Sequence, residues 1–344
     1  MNHSRFHLPA EWEPQAGVII AWPNEATDWA PRLARIETAY VGLASAIARF
    51  ENLIVCVPDA SVREHVAREL AAAGVPEERV RFVETEYDDT WLRDSGPLTL
   101  TNGVDFRLLD FRFTGWGGKF GADRDDRLVE TLVEQALFRT AAHQRIDWAL
   151  EGGAIESDGN GTILTTWRCL HQRHPRMTRE EMTRLLEDAF GAERVLWLEH
   201  GYLEGDDTDA HIDTLARFAP DDAIVFQACD DESDRHYEEL ARMRDELAAL
   251  RTIDGSPYRL HALPWPRAIL DESRRLAASY ANYLVLNGAV LMPAYGDAAD
   301  ARAAAVIGDA HPGREVVPID ARPLIWQNGS VHCLTMQLPA GVLA

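Results

Sequence analysis

Basic charge, paired sulfur and long apolar runs are what this chain has little of. Its 34 Lys and Arg face 56 Asp and Glu, for a formal net charge of −22. That balance argues against a broad basic face for nucleic acid. An acidic surface favours solubility and can steer cationic ligands, although a plain solvated surface would carry the same charge. Four cysteines stand far apart, at 56, 169, 229 and 333, with no CxxC pair. Such spacing fits reduced thiols of a cytoplasm better than a disulfide framework. No apolar run approaches a membrane span, and residues 1–7 lack the apolar core of a signal peptide. A cytoplasmic chain without membrane or nucleic-acid partners is therefore expected. Neither a P-loop nor a GxGxxG pattern occurs, so no nucleotide site is read. The 344 residues, 46% of them hydrophobic, would suffice for two ordinary domains. No low-complexity linker divides them, and a single domain over 1–344 is expected.

What is present alternates. Gly17 to Trp22, Leu53 to Val57 and Val80 to Val83 read as buried strands. Between them, Leu33 to Phe50 and Ala60 to Ala73 have helical spacing, the second stopping at Gly74. This is an α/β pattern. Further helices are expected at Asp123–Leu137, at Thr178–Phe190 with the capping box Thr178/Glu181, and at Asp234–Arg251. Asp158-Gly159-Asn160-Gly161 and Asn287-Gly288 are hairpin signals. Strand and helix types recur about five times along the chain, a weak sign of a repeated unit.

Five stretches carry chemistry-bearing residues. Tyr87 to Pro97 is a loop with three Asp, an Arg and Trp91, and a Trp beside carboxylates can wall a cation site. Phe111 to Phe120 interleaves glycines with aromatics, Trp116 among them, as where backbone approaches a ligand closely. Glu151 lies between an apolar run and Gly152-Gly153, either aimed at a site or only closing a strand. His211 and Asp213 follow an acidic loop; a strand over 211–217 would put both on one face, as a general acid/base beside a cation-holding carboxylate. Cys333 follows the turn Gln327–Ser330 and starts an apolar strand. It is either a nucleophile or a small buried hydrophobe. Cys169-x-His171-x-x-His174 has zinc-like spacing, but no second cluster completes four ligands, and no metal is assigned. Several carboxylates near a thiolate repel it unless a cation lies between them. A guanidinium meets that need: it is planar, permanently charged, and has five donors for paired carboxylates.

Together, Trp91-Leu-Arg-Asp94-Ser-Gly-Pro97, Glu151-Gly-Gly153, His211-Ile-Asp213, Tyr280-Ala-Asn-Tyr283 and His332-Cys-Leu-Thr335 resemble the agmatine deiminase family, with the bacterial peptidylarginine deiminases. The resemblance runs in order from Trp22 to Pro339. It implies the pentein fold, a five-bladed α/β propeller of ββαβ-like units about a pseudo-fivefold axis. It also implies hydrolysis of a guanidine, without metal or other cofactor: agmatine to N-carbamoylputrescine and ammonia, within putrescine synthesis, through a thiouronium on cysteine. Carried over, Cys333 is the nucleophile, His211 the general acid/base, Glu151 the acid beside it, Asp94 and Asp213 the guanidinium clamps. Trp91 and Trp116 line the passage of a small cationic guanidine, and a homodimer is suggested. Two departures touch the substrate's far end. Trp167-Arg168 stands where plant-type members have an acidic pair, and His171-Gln-Arg-His-Pro175 replaces an Asn-Arg-Asn-Pro type. Deimination of peptidyl-arginine and non-catalytic guanidine binding are the alternatives.

Overall fold

The first strand ties the two ends of the chain together. Gln15–Ala21 is apolar and runs parallel to Asn52–Val57. On its other edge it pairs antiparallel with Thr335–Pro339, Ile20 opposite Thr335. The computed structural model describes residues 5–344; of the stretch read for a leader, residues 1–4 lie outside it. Between strands, the helix Leu33–Ala48 buries Ile36, Tyr40, Leu43 and Ile47, one stripe at 3.6-residue spacing. Each side chain of that size gains roughly 1.5–3 kcal/mol on leaving water. The strand Val80–Glu84 completes this sheet.

The same plan recurs. Among the described residues, four three-stranded sheets repeat an antiparallel pair, a helix and a strand parallel to the second. They are Leu98–Thr101, Phe106–Arg112 and Ala141–Ala149; Ile155–Ser157, Thr162–Thr166 and Arg194–Leu198; Ala216–Ala219, Ala223–Gln227 and Arg259–Leu263; and Leu284–Leu286, Ala289–Ala294 and Glu315–Asp320. The helices Leu128–Glu134, Arg179–Phe190, Tyr237–Ala249 and Asp300–Ala310 make the respective crossovers. Thr335–Pro339 is the first strand of the remaining unit, supplied from the far end of the chain. A parallel return needs such a crossover, whereas the antiparallel pairs turn tightly.

Local signals explain much of this. The capping box forms, with Thr178 and Glu181 satisfying each other's backbone N–H, and Gly191 ends that helix at a φ of 63°. Both hairpin signals make hairpins. Other expectations shift. The helix expected over 123–137 is a 3₁₀ turn and then Leu128–Glu134, ended near Ala136 at a φ of 53°. The apolar stretch Tyr280 to Leu286 is expected as one strand, but only Leu284–Leu286 forms it. No helix among the described residues is long and apolar enough to cross a membrane.

Candidate active site

Every stretch singled out for chemistry, apart from the Trp116 loop, lies just ahead of the first strand of a unit. Asp94 is on the single helical turn Leu92–Ser95, before Leu98–Thr101. Glu151 precedes Ile155–Ser157, and His211 and Asp213 precede Ala216–Ala219. Cys333 is in the turn before Thr335–Pro339. Three readings are corrected here. The Tyr87–Pro97 loop holds a helical turn; residues 211–217 are not one strand; and Cys333 lies ahead of its strand, not in it. Asp209 and Ala210 have φ of 67° and 70°, and Ile212–Thr214 is a 3₁₀ turn. His211 and Asp213 thus meet by a bend in the backbone, not by strand alternation.

They converge on Gly153. A Cβ there would stand 2.6 Å from His211 Nδ1, 2.8 Å from Asp94 Oδ1 and 3.1 Å from Asp213 Oδ2. Only the absence of a side chain lets the three groups close. The Gly153 N–H itself donates to Asp94 Oδ1 at 2.9 Å, and Trp116 Nε1–H donates to Asp94 Oδ2 at 2.8 Å. Trp116 adopts a φ of 57° within its glycine-rich turn and packs edge-on against Phe113. Across the group, Cys333 Sγ lies 3.5 Å from Asp213 Oδ2 and accepts from Asn282 Nδ2 at 3.1 Å. His211 is fully buried, its Nδ1 3.6 Å from Asp94 and its Nε2 3.6 Å from Glu151. Among the described residues, neither ring nitrogen has a hydrogen-bond partner.

Burial and charge set the protonation states. Burial raises the Asp94 carboxyl to about 6, against the pull of His211 and with the push of Asp213 and Glu151. Burial opposes charge on His211, but Asp94, Cys169 and Glu151 hold its pKa well above the ordinary value. Burial, Asp213 and Asp94 push the Cys333 thiol well up. By itself the site therefore stores a thiol and an imidazolium among carboxylates, and an incoming cation would favour the thiolate.

Several partners of these groups were given no role from the sequence. Arg173 Nε donates to Glu151 Oε1 at 2.7 Å, and its Nη1 to Asp209 at 2.7 Å. His332 Nδ1 pairs with Asp213 Oδ2 at 2.8 Å, and Nε2 lies 2.6 Å from Glu11. Arg217 is buried and bonds Glu11 at 2.6 Å and Glu156 at 2.8 Å. Cys169 joins Glu151 and His211 in a group whose donor atoms lie within 4.8 Å of one another. Arg173 already supplies that group with a cation. The zinc-like spacing dissolves, because His171 stacks on Trp167 and His174 bonds the carbonyl of Ala149.

A cavity of about 260 Å³ opens on this cluster, with Cys333, Asp94, Trp91 and Trp116 in its wall. Its buried floor grades into a rim of half-exposed Asp89 and Asp207 and exposed Asp28 and Arg274. Gly329 lets the Trp91 ring close over the wall, since a Cβ there would meet the ring at 2.1 Å.

The thiol of Cys333 and the carboxylate of Asp94 in the wall of a small cavity, with His211, Asp213 and Glu151 buried behind them, are groups of the kind a cysteine hydrolase acting on a cation would use. The comparisons narrow that class. A model of the Porphyromonas-type peptidyl-arginine deiminase family matches residues 7–339, and the chain belongs to this family. It is 35% identical to an agmatine deiminase of Pseudomonas putida, over 98% of this chain and 96% of that one. A C. jejuni agmatine deiminase, solved as a cysteine-to-serine variant with substrate bound, superposes with a TM-score of 0.90 at 32% identity, covering 98% of this chain and 97% of that one. An Enterococcus faecalis agmatine deiminase gives 0.88 at 27%, over 97% and 96%.

Proposed function

We propose that the chain deiminates agmatine to N-carbamoylputrescine and ammonia, with Cys333 as nucleophile. The observation that carries the reading is the closure of His211, Asp94 and Asp213 on Gly153, with Cys333 Sγ 3.5 Å from Asp213. Asp94 and Asp213 hold guanidinium N–H groups, and the thiol proton is released to solvent as the cation docks. The Cys333 sulfur donates an electron pair to the guanidinium carbon, forming C–S while a C=N pair moves onto nitrogen. The His211 imidazolium protonates one nitrogen, the C–N bond breaks, and ammonia leaves a thiouronium. Neutral His211 then takes a proton from water as C–O forms, and C–S breaks with its pair returning to sulfur. Guanidinium plus water becomes urea plus ammonium. Glu151, braced by Arg173, keeps His211 charged.

The small cavity and the three rim carboxylates suit a distal ammonium, and the agmatine deiminases among the relatives support it. Exposed Arg274 is the one rim group that would favour a carboxylate, as in free arginine. The five repeated ββαβ units support a propeller about a pseudo-fivefold axis within a single domain, and the four free cysteines support a cytoplasmic place for it. Assaying urea-type product with agmatine, arginine and a blocked arginyl peptide tests the reading. Turnover of agmatine above both others is expected; preference for the peptide would transfer the assignment to peptidyl-arginine.

A further inference from the structure

Two side chains of the turn 115–120 can donate a hydrogen bond, and they reach different parts of the site. Trp116 Nε1–H goes to Asp94. Lys119 goes to the loop before His211: its Nζ donates to the carbonyl of Asp207 and, at 2.6 Å, to Asp209 Oδ2. Trp116 and Phe120 line the cavity from the first segment, Asp207 and Thr208 from the second, and Lys119 itself does not. Its ammonium thus fastens two stretches of cavity wall together without facing the substrate. Both stretches are strained. Residues 115–118 all have positive φ, Trp116 among them, and so do Asp209 and Ala210. Residues other than glycine keep such angles only where their surroundings compel them. Lys119 is also the only lysine in the chain, the other 33 of its 34 basic residues being Arg, so composition gives no reason for an ammonium here. Geometry does: one small nitrogen sits between two oxygens, where the flat fork of a guanidinium would spread its donors.

We infer that Lys119 is a positioning residue of the deimination proposed above: its ammonium binds the Trp116 turn to the 207–209 loop and so holds Trp116 Nε1–H on Asp94.

Lys119→Met keeps the apolar stem and removes the ammonium. Lys119 is exposed, and Asp209 retains Arg173 at 2.7 Å as its counter-ion, so the fold is not at stake. With agmatine at pH 8, kcat/KM falls roughly 10-fold, the scale of one hydrogen bond to a charged group, and most of the fall is in KM. The acid limb of kcat/KM moves up by about 0.5 unit, because Asp94, which also faces His211, Asp213 and Glu151, loses support for its ionised form. Loss of a cation's field alone would move the limb the same way, and a double variant separates the two causes. Trp116→Phe combined with Lys119→Met puts the limb where Trp116→Phe alone puts it, since both act through one bond. Shifts that add overturn the assignment, as does an unmoved limb in Lys119→Met. Amide hydrogen exchange reads the fastening without any turnover. Peptides covering 112–121 and 205–211 exchange about 10-fold faster in Lys119→Met, and the rest of the chain does not. Wild-type exchange in both peptides overturns the fastening whatever the substrate. A wild-type enzyme inert toward every guanidine, with the faster exchange in the variant, overturns the deimination reading instead.

Discussion

His332 Nδ1 donates to Asp213 Oδ2 across 2.8 Å, while Asp213 Oδ1 meets no partner among the described residues. One oxygen is anchored and the other is left for a guanidinium N–H. Asp94 differs, since both its oxygens already accept, from Gly153 and Trp116, and keep one lone pair each. In either residue, Asp→Asn turns one oxygen into a donor facing a donor. Each variant should lose roughly 2–5 kcal/mol of transition-state stabilisation, the range for truncating a buried charged pair. Steady-state kinetics with agmatine checks this; kcat/KM near the wild-type value in both variants would remove the clamp.

Gly153→Ala should cost activity more than stability. Its φ is not positive, so backbone strain is not the issue. The added methyl instead wedges His211 from Asp94 and Asp213. A displacement near 1 Å at reacting groups is worth roughly 100-fold in rate. Full turnover in this variant would mean that the three groups do not act together.

The pH profile follows from Asp94. Its pKa is raised to about 6, so the charge needed for the clamp is gained as pH rises through that value and lost as pH falls through it. His211, Asp213 and Glu151 face the same carboxyl, and the observed midpoint belongs to the set. The acid limb of kcat/KM should lie near 6. Trp116→Phe removes a donor to the ionised form, so the limb should move to higher pH. A limb that stays put or moves down contradicts this assignment of the acid group.

Arg217 is a stability element beneath the site. It is enclosed by Glu11, Glu156 and the carbonyls of Ala281 and Tyr283, and touches His332 at 3.0 Å. Arg217→Met should leave buried Glu156 without its counter-charge and Glu11 with Arg93 alone, and cost roughly 3–5 kcal/mol in urea unfolding. A loss under about 1 kcal/mol would show that the carboxylates neutralise themselves.

The chemistry was more legible in the sequence than its geometry. Cys333, His211, Asp94, Asp213 and Glu151 each stood at a strand end where a plain structural reading fitted as well, and it was the resemblance of five motifs in order that gave them roles. Their joining could not be read from local pattern. His211 and Asp213 meet through left-handed Asp209 and Ala210, which no alternation rule anticipates. Glu11, Arg173 and Arg217 were missed because buried charges are recognised only by their partners, and Glu11 meets His332 across 321 positions. Asn282 stood within a quoted motif, but its amide gains meaning only when Cys333 is seen beside it. The strands Phe106–Arg112 and Ala141–Ala149 went unread too; the second is largely exposed at its start and lacks an apolar face there.

The central claim is that Cys333 attacks the guanidinium carbon. The direct measurement is peptide mapping of the protein inactivated by a haloacetamidine, run beside agmatine turnover by Cys333→Ser. The account predicts one label, on the Cys333 peptide, with agmatine protecting against it, and no measurable product from the serine variant. A label confined to Cys56, Cys169 or Cys229, or product formed by Cys333→Ser at the wild-type rate, would contradict it.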